Sequence, residues 1–198
     1  MESLKDLVRI KKTLIVLEAE NDWYLIARYL YQEWKQQKKN AKLTTLLIQQ
    51  MMTYILDIDN GFIEALHAHE NTMGYKRNTY MVYLKEAVEY GLKNCLDNKY
   101  FLWQMSYYYS AVSTYYPLIN DQTQTIQDAR QLCQRLLNHA HRLFPNSIVF
   151  LCVGEQLKDN WNVIRNLSDI QKSALQNEIN TFDLQENMVD VIVKGYFE

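Results

Sequence analysis

All four histidines of the chain fall in two identical tripeptides, His67-Ala68-His69 and His139-Ala140-His141. On a strand, H-x-H turns both imidazoles to one face and suits a metal, whereas on a helix residues two apart point about 200° apart and cannot share an ion. Both copies sit in helical patterns. A metal site would therefore need one His from each copy together with a carboxylate such as Glu64 or Glu70, the donor set of a metal-dependent hydrolase. No H-E-x-x-H or C-x-x-C accompanies them, so neither a metal ligand nor a catalytic residue is assigned and no cofactor is called for. Asp57-x-Asp59-Asn60-Gly61 resembles the opening of a calcium loop, but its Gly comes one residue early and no Glu closes it. It reads as a turn between helices. The Gly-rich signatures of phosphate binding and the G-x-S-x-G elbow are absent from the sequence.

Two further groupings bear on binding. Arg9, Lys11, Lys12, Lys35, Lys38, Lys39 and Lys42 make the first fifty residues net positive, beside Trp23 and Trp34, while the last forty-eight carry eight acidic side chains against four basic. A basic end with two indoles could track a phosphate backbone and stack on bases, but lysines at a helix C-terminus also complement its dipole. With the whole chain at −2, nucleic acid is a minor alternative. Tyrosine is more informative: ten of the 15 lie between Tyr75 and Tyr116, and Tyr107-Tyr108-Tyr109 spans most of a helical turn. Trp103 and Tyr107 share one face, Phe101 and Tyr108 a second, Leu102 and Tyr109 a third. Either that helix is central, or some rings face a partner, where a ring packs and its hydroxyl bonds across the interface. Tyr80, Tyr83, Trp103, Tyr107 and Tyr108 are the candidate partner-binding residues.

The elements that must position these groups are helices. Only 7 of 198 residues are Gly or Pro, too few for the turns of a many-stranded fold, and a chain of this length buries one sizeable core without disulfides. Apolar residues recur at i, i+3, i+4 and i+7 through Leu4, Leu7, Val8, Leu14 and Ile15, then through Trp23, Ile26, Ala27, Leu30, Tyr31 and Trp34. Further helices are predicted over Thr44–Leu56, from Phe62 to His69, through Tyr80 to Leu92 after a break at 72–78 around Gly74, and over Tyr100–Tyr116. After a flexible connector at 117–125 come Ile126–Phe144, Ile148–Leu157 capped by Ser147, and a short segment with Trp161. Ser168 opens a capping box to about Asn180, and a last helix follows Asp183. The fold expected is all-α, nine or ten helices in one domain over 1–198.

Cys95, Cys133 and Cys152 stand in apolar helical patterns and read as reduced core thiols. With no export signal and no long apolar run, the expected location is cytoplasmic, with no membrane partner.

Trp23, Ile26, Ala27 and Leu30 follow the spacing of a tetratricopeptide first helix, with Ala for Gly and Leu for Tyr. Cys133, Leu137, Ala140 and Pro145 follow that of its second helix. The segment Phe150–Leu157 resembles another first helix, one residue out of register, whereas Lys39 and Leu43 depart from the pattern. The chain thus resembles tetratricopeptide-like repeats over about a third of its length. The resemblance implies antiparallel helix pairs stacked as a short solenoid, or an irregular bundle if the matches are local, and a protein or peptide as partner. The expected function is a non-catalytic binding module, as an adaptor or as an immunity-type inhibitor that covers a toxin or enzyme. A basic, nuclease-like target would meet the acidic C-terminal third.

Overall fold

A computed structural model describes residues 2–19, 23–37, 40–59, 70–111 and 125–182. These residues form nine helices and, among them, no strand. They are α1 (Glu2–Ala19), α2 (Trp23–Gln36), α3 (Ala41–Asp59), α4 (Glu70–Asn94), α5 (Lys99–Ala111), α6 (Ile126–Leu143), α7 (Ile148–Leu157), α8 (Trp161–Arg165) and α9 (Asp169–Asn180). The all-α expectation holds. None of the described helices is long and apolar enough to cross a membrane. Asn60, Gly61, Glu64, His67, His69, Lys38, Lys39, residues 117–124 of the connector and the helix expected after Asp183 lie outside the described residues.

The described helices gather into two compact units, α1–α4 and α5–α9. In the first, α3 packs on α2 and α4, and α1 lies against α2. Every residue of α3 from Leu43 to Met52 is buried, so it is the central rod, and its polar members Thr44, Thr45, Gln49 and Gln50 lie inside. α2 presents Ile26, Ala27, Leu30 and Trp34, all fully buried, as its spacing predicts. Asn40 opens α3, its side-chain oxygen accepting from the Leu43 N–H at 3.2 Å. The break expected around Gly74 does not occur, and α4 runs through it. A single helical Gly costs about 1 kcal/mol, too little to divide a 25-residue helix.

In the second unit α5 is central, packing on α6 and α7, with α8 and α9 both on α7. Tyr100 through Ser106 are all buried, as are Tyr108 and Tyr109. This is most of the circumference of the helix. Asn98 opens α5, accepting from the Phe101 N–H at 3.0 Å. Thr125 and Asp128 make a reciprocal capping box for α6, and Ser168 and Gln171 make one for α9 as their spacing predicts. Pro145 and Asn146 form the turn between α6 and α7.

Candidate functional site

The five expected partner-binding residues divide between the units, Tyr80 and Tyr83 on α4, Trp103, Tyr107 and Tyr108 on α5. Tyr80, Trp103 and Tyr108 are buried, and Tyr83 and Tyr107 are half-buried. Burial pushes the Tyr108 phenol well above its ordinary value and raises Tyr107 as well. Tyr83 stacks flat on Tyr31 of α2, centroids 3.8 Å apart. The Tyr31 hydroxyl donates to Glu86, which also accepts from Lys35 at 2.5 Å. This cluster ties α2 to α4. Burial, followed by Glu86, raises the Tyr31 phenol, and the hydrogen bond to Glu86 raises Lys35.

Arg9 of the basic end is engaged in the same way as Lys35. Arg9 of α1 forks onto Glu33 of α2 with two hydrogen bonds of 2.9 and 2.8 Å. Trp34 is fully buried and its indole donates to the Thr44 hydroxyl at 2.9 Å. It is a core side chain with no face to offer a base, contrary to what a nucleic-acid groove through Lys35 and Trp34 requires. His139 is half-buried and touches Arg142 at 3.3 Å through Nδ1, while His141 is exposed on the same helix, with its ring edge toward Phe150. Among the described residues, no three His, Cys, Asp or Glu side chains converge on a point that could hold a metal. Cys95, Cys133 and Cys152 are buried free thiols. Burial pushes Cys133 and Cys152 up to about 12, and Cys133 donates to the Ser106 carbonyl at 3.3 Å.

Sequence reasoning missed two surfaces. The first is the outer face of α1. Of Val8, Leu14 and Ile15 in the expected apolar stripe only Leu14 is buried: Ile10 and Leu14 face inward, while Val8, Ile15 and Val16 are 51%, 63% and 59% exposed. Val8, Ile15 and Val16 stand at i, i+7 and i+8, so they line one side of the helix, and α1 is apolar on two sides. The signal lay in the sequence, since a helix with one core face does not need five large aliphatics between positions 8 and 16.

The second surface lies at the first turn of α7. Ser147 stands at its N-cap position as expected, but its side chain makes no cap hydrogen bond to the helix. Glu178 of α9 supplies the acceptor instead, taking the Ile148 and Val149 N–H groups at 2.8 and 3.2 Å, the Ser147 hydroxyl, and an ion pair with Lys99. Four residues on, Phe182 lies against Tyr100 and Trp103, with centroids 5.2 and 5.1 Å away. Nothing local foretells that a carboxylate thirty residues away caps a helix.

Comparison with family models, curated proteins and solved structures returned no match.

Proposed function

We propose that this chain is a non-catalytic helical module that binds another protein and acts by occupancy. The supporting observation is the outer face of α1, where Val8, Ile15 and Val16 stand in water on a helix whose opposite side is already buried. Large aliphatics grouped on one exposed face lose free energy to solvent that a partner surface restores, at roughly 25 cal/mol per Å² covered. Lys12 is exposed on the same side, a charge set within that stripe. Immunity-type inhibition of a toxin or enzyme and adaptor function are the two roles of this class that such a face serves, in the cytoplasm, where three unpaired thiols persist. The acidic excess of the last forty-eight residues favours a basic target. A tetratricopeptide-like origin of the helix pairs belongs to the same proposal.

Affinity capture from the native cell tests it with two proteins, the natural chain and a Val8→Glu/Ile15→Lys variant. The natural chain retains a stoichiometric protein companion, and the variant loses it while its helical circular dichroism and melting temperature stay unchanged. Equal capture by both, or co-purification of metal or nucleotide alone, overturns the proposal.

A further inference from the structure

α6 buries Ala129, Cys133, Leu136, Leu137 and Ala140 in its unit and leaves its opposite side in solvent. That outer side carries Arg130, Arg135 and Arg142 together with Gln131, Gln134 and Asn138, all exposed. A solvent-facing helix ordinarily mixes both signs of charge three or four residues apart. Here no residue three or four positions from any of the arginines is a carboxylate. Asp128 is the one acidic side chain of α6 and is committed to the cap, accepting from the Thr125 N–H and hydroxyl at 3.0 and 2.8 Å. Arg130 meets Asp159 at 3.8 Å in an exposed, weak pair, and Arg142 meets a ring nitrogen of His139. Arg135 has no ion pair among the described residues. The helix dipole accounts for His141 and Arg142 in the last turn, but not for Arg130 and Arg135, which stand nearer the start and at the middle.

At about 100° per residue, Arg130 lies on one edge of the outer side, Arg135 and Arg142 lie about 120–140° round on the other, and the three amides lie between. Gln134 donates to Asn138 at 3.0 Å along that row. Arg130 and Arg142 are about 18 Å apart along the axis.

We infer that the outer side of α6 is a docking surface for an acidic helix of a partner protein, whose carboxylates the arginines receive and whose other polar groups the amides meet. The surface belongs to the α5–α9 unit and the Val8, Ile15 and Val16 stripe to the α1–α4 unit, so the inference goes beyond binding through α1 and does not depend on it. Charge complementarity selects the occupant. A helix with one carboxylate per turn presents about three over about 18 Å, as many as the guanidiniums on this side. Each guanidinium is a planar fork matched to a carboxylate. A nucleic-acid duplex presents a phosphate for about every 1.7 Å, or about ten over the same length, and three arginines on a chain of net charge −2 do not balance them.

The probe is a labelled, alanine-based helical peptide with one glutamate per turn along one side, and the receptor is the full chain, read by fluorescence anisotropy at low salt. The natural chain binds the peptide, and added salt weakens that binding. Arg130→Gln/Arg135→Gln/Arg142→Gln weakens it at least tenfold with circular dichroism and melting temperature unchanged, since all three side chains are exposed. Arg135→Glu alone, which has no ion pair to lose, weakens it too and keeps the test independent of how the triple variant folds. A Lys93→Gln/Lys158→Gln/Arg165→Gln variant removes the same charge from other exposed positions and binds as the natural chain does. No binding by the natural chain, or an equal loss in the two triple variants, overturns the inference. A short DNA duplex bound more tightly than the peptide through the same arginines gives the surface to nucleic acid and overturns it as well. Val8→Glu/Ile15→Lys leaves peptide binding intact, and a loss there moves the acidic partner to α1 and refutes the assignment to α6. If the peptide fails while the natural chain still captures a companion through Val8 and Ile15, the α6 surface falls and the α1 reading stands.

Discussion

Replacing Thr44 by Val tests whether Trp34 is a core side chain whose indole hydrogen-bonds the Thr44 hydroxyl. Both residues are fully buried, and the indole N–H of Trp34 donates to the Thr44 oxygen at 2.9 Å, while the Thr44 hydroxyl donates to the Asn40 carbonyl at 3.1 Å. Valine keeps the shape and removes the oxygen. The Asn40 carbonyl retains the Thr44 backbone N–H at 3.0 Å, so it stays satisfied, but the buried indole loses its Thr44 acceptor. Depriving a buried donor of its acceptor costs about 1–3 kcal/mol, which puts Thr44→Val at about 2 kcal/mol. In a Trp34→Phe background the donor is gone, and the same change costs about 1 kcal/mol. The coupling between the two positions is thus about 1 kcal/mol. Urea unfolding followed by circular dichroism reads this directly. With a slope of about 2 kcal/mol per molar, Thr44→Val lowers the midpoint by about 1 M. A loss under about 0.5 kcal/mol, or an equal loss in both backgrounds, refutes the buried indole bond. An exposed stacking platform at Trp34 would give that flat result.

Two other outcomes follow from named groups. Cys133 and Cys152 are pushed up to about 12 by burial, above the ordinary thiol, so both stay protonated in the folded chain while the unfolded chain ionises them. Their contribution is complete below about pH 9 and is lost as pH rises toward 12, at up to about 1 kcal/mol per pH unit for each thiol. Urea midpoints between pH 8 and 11 therefore fall more steeply for the natural chain than for a Cys133→Ala/Cys152→Ala variant, and parallel curves contradict the burial. Asp159, between α7 and α8, has φ of 56°, in the left-handed region where a side chain is strained and Gly is not. Its ion pair with Arg130 is 3.8 Å long and exposed, so it adds little. Asp159→Gly raises stability by about 0.5–1 kcal/mol in thermal melts and Asp159→Ala does not, and a lower melting temperature for the glycine variant argues against strain there.

Much of the helical framework was legible because its signals are local. The stripe of α2 is readable from Ile26, Ala27, Leu30 and Trp34, since a 3.6-residue period with one buried face leaves no other arrangement. Ser168 and Gln171 announce α9 because both halves of a capping box lie within one turn. Gly74 misled as a helix break, since one weak position is outweighed by a whole helix. The tyrosine run was undecidable from periodicity, because a helix with rings on every side fits both a central position and a contact face. The packing of α5 against α6 and α7 buries most of its rings.

The amino-acid sequence by itself determined that this protein is all helical, because helix-forming periodicity and caps act over three or four residues and turn formers are scarce. Only tertiary structure decided which faces α1 and α5 bury and what the buried side chains meet. Val8 and Ile15 turn outward because Ile10 and Leu14 meet the core first, and Trp34 lies inside because Thr44 is there to receive its indole. Glu178 completes α7 and Phe182 covers Trp103 because α9 folds back to them. These choices rest on contacts between residues far apart in the chain, whose energies depend on a juxtaposition that no local pattern records.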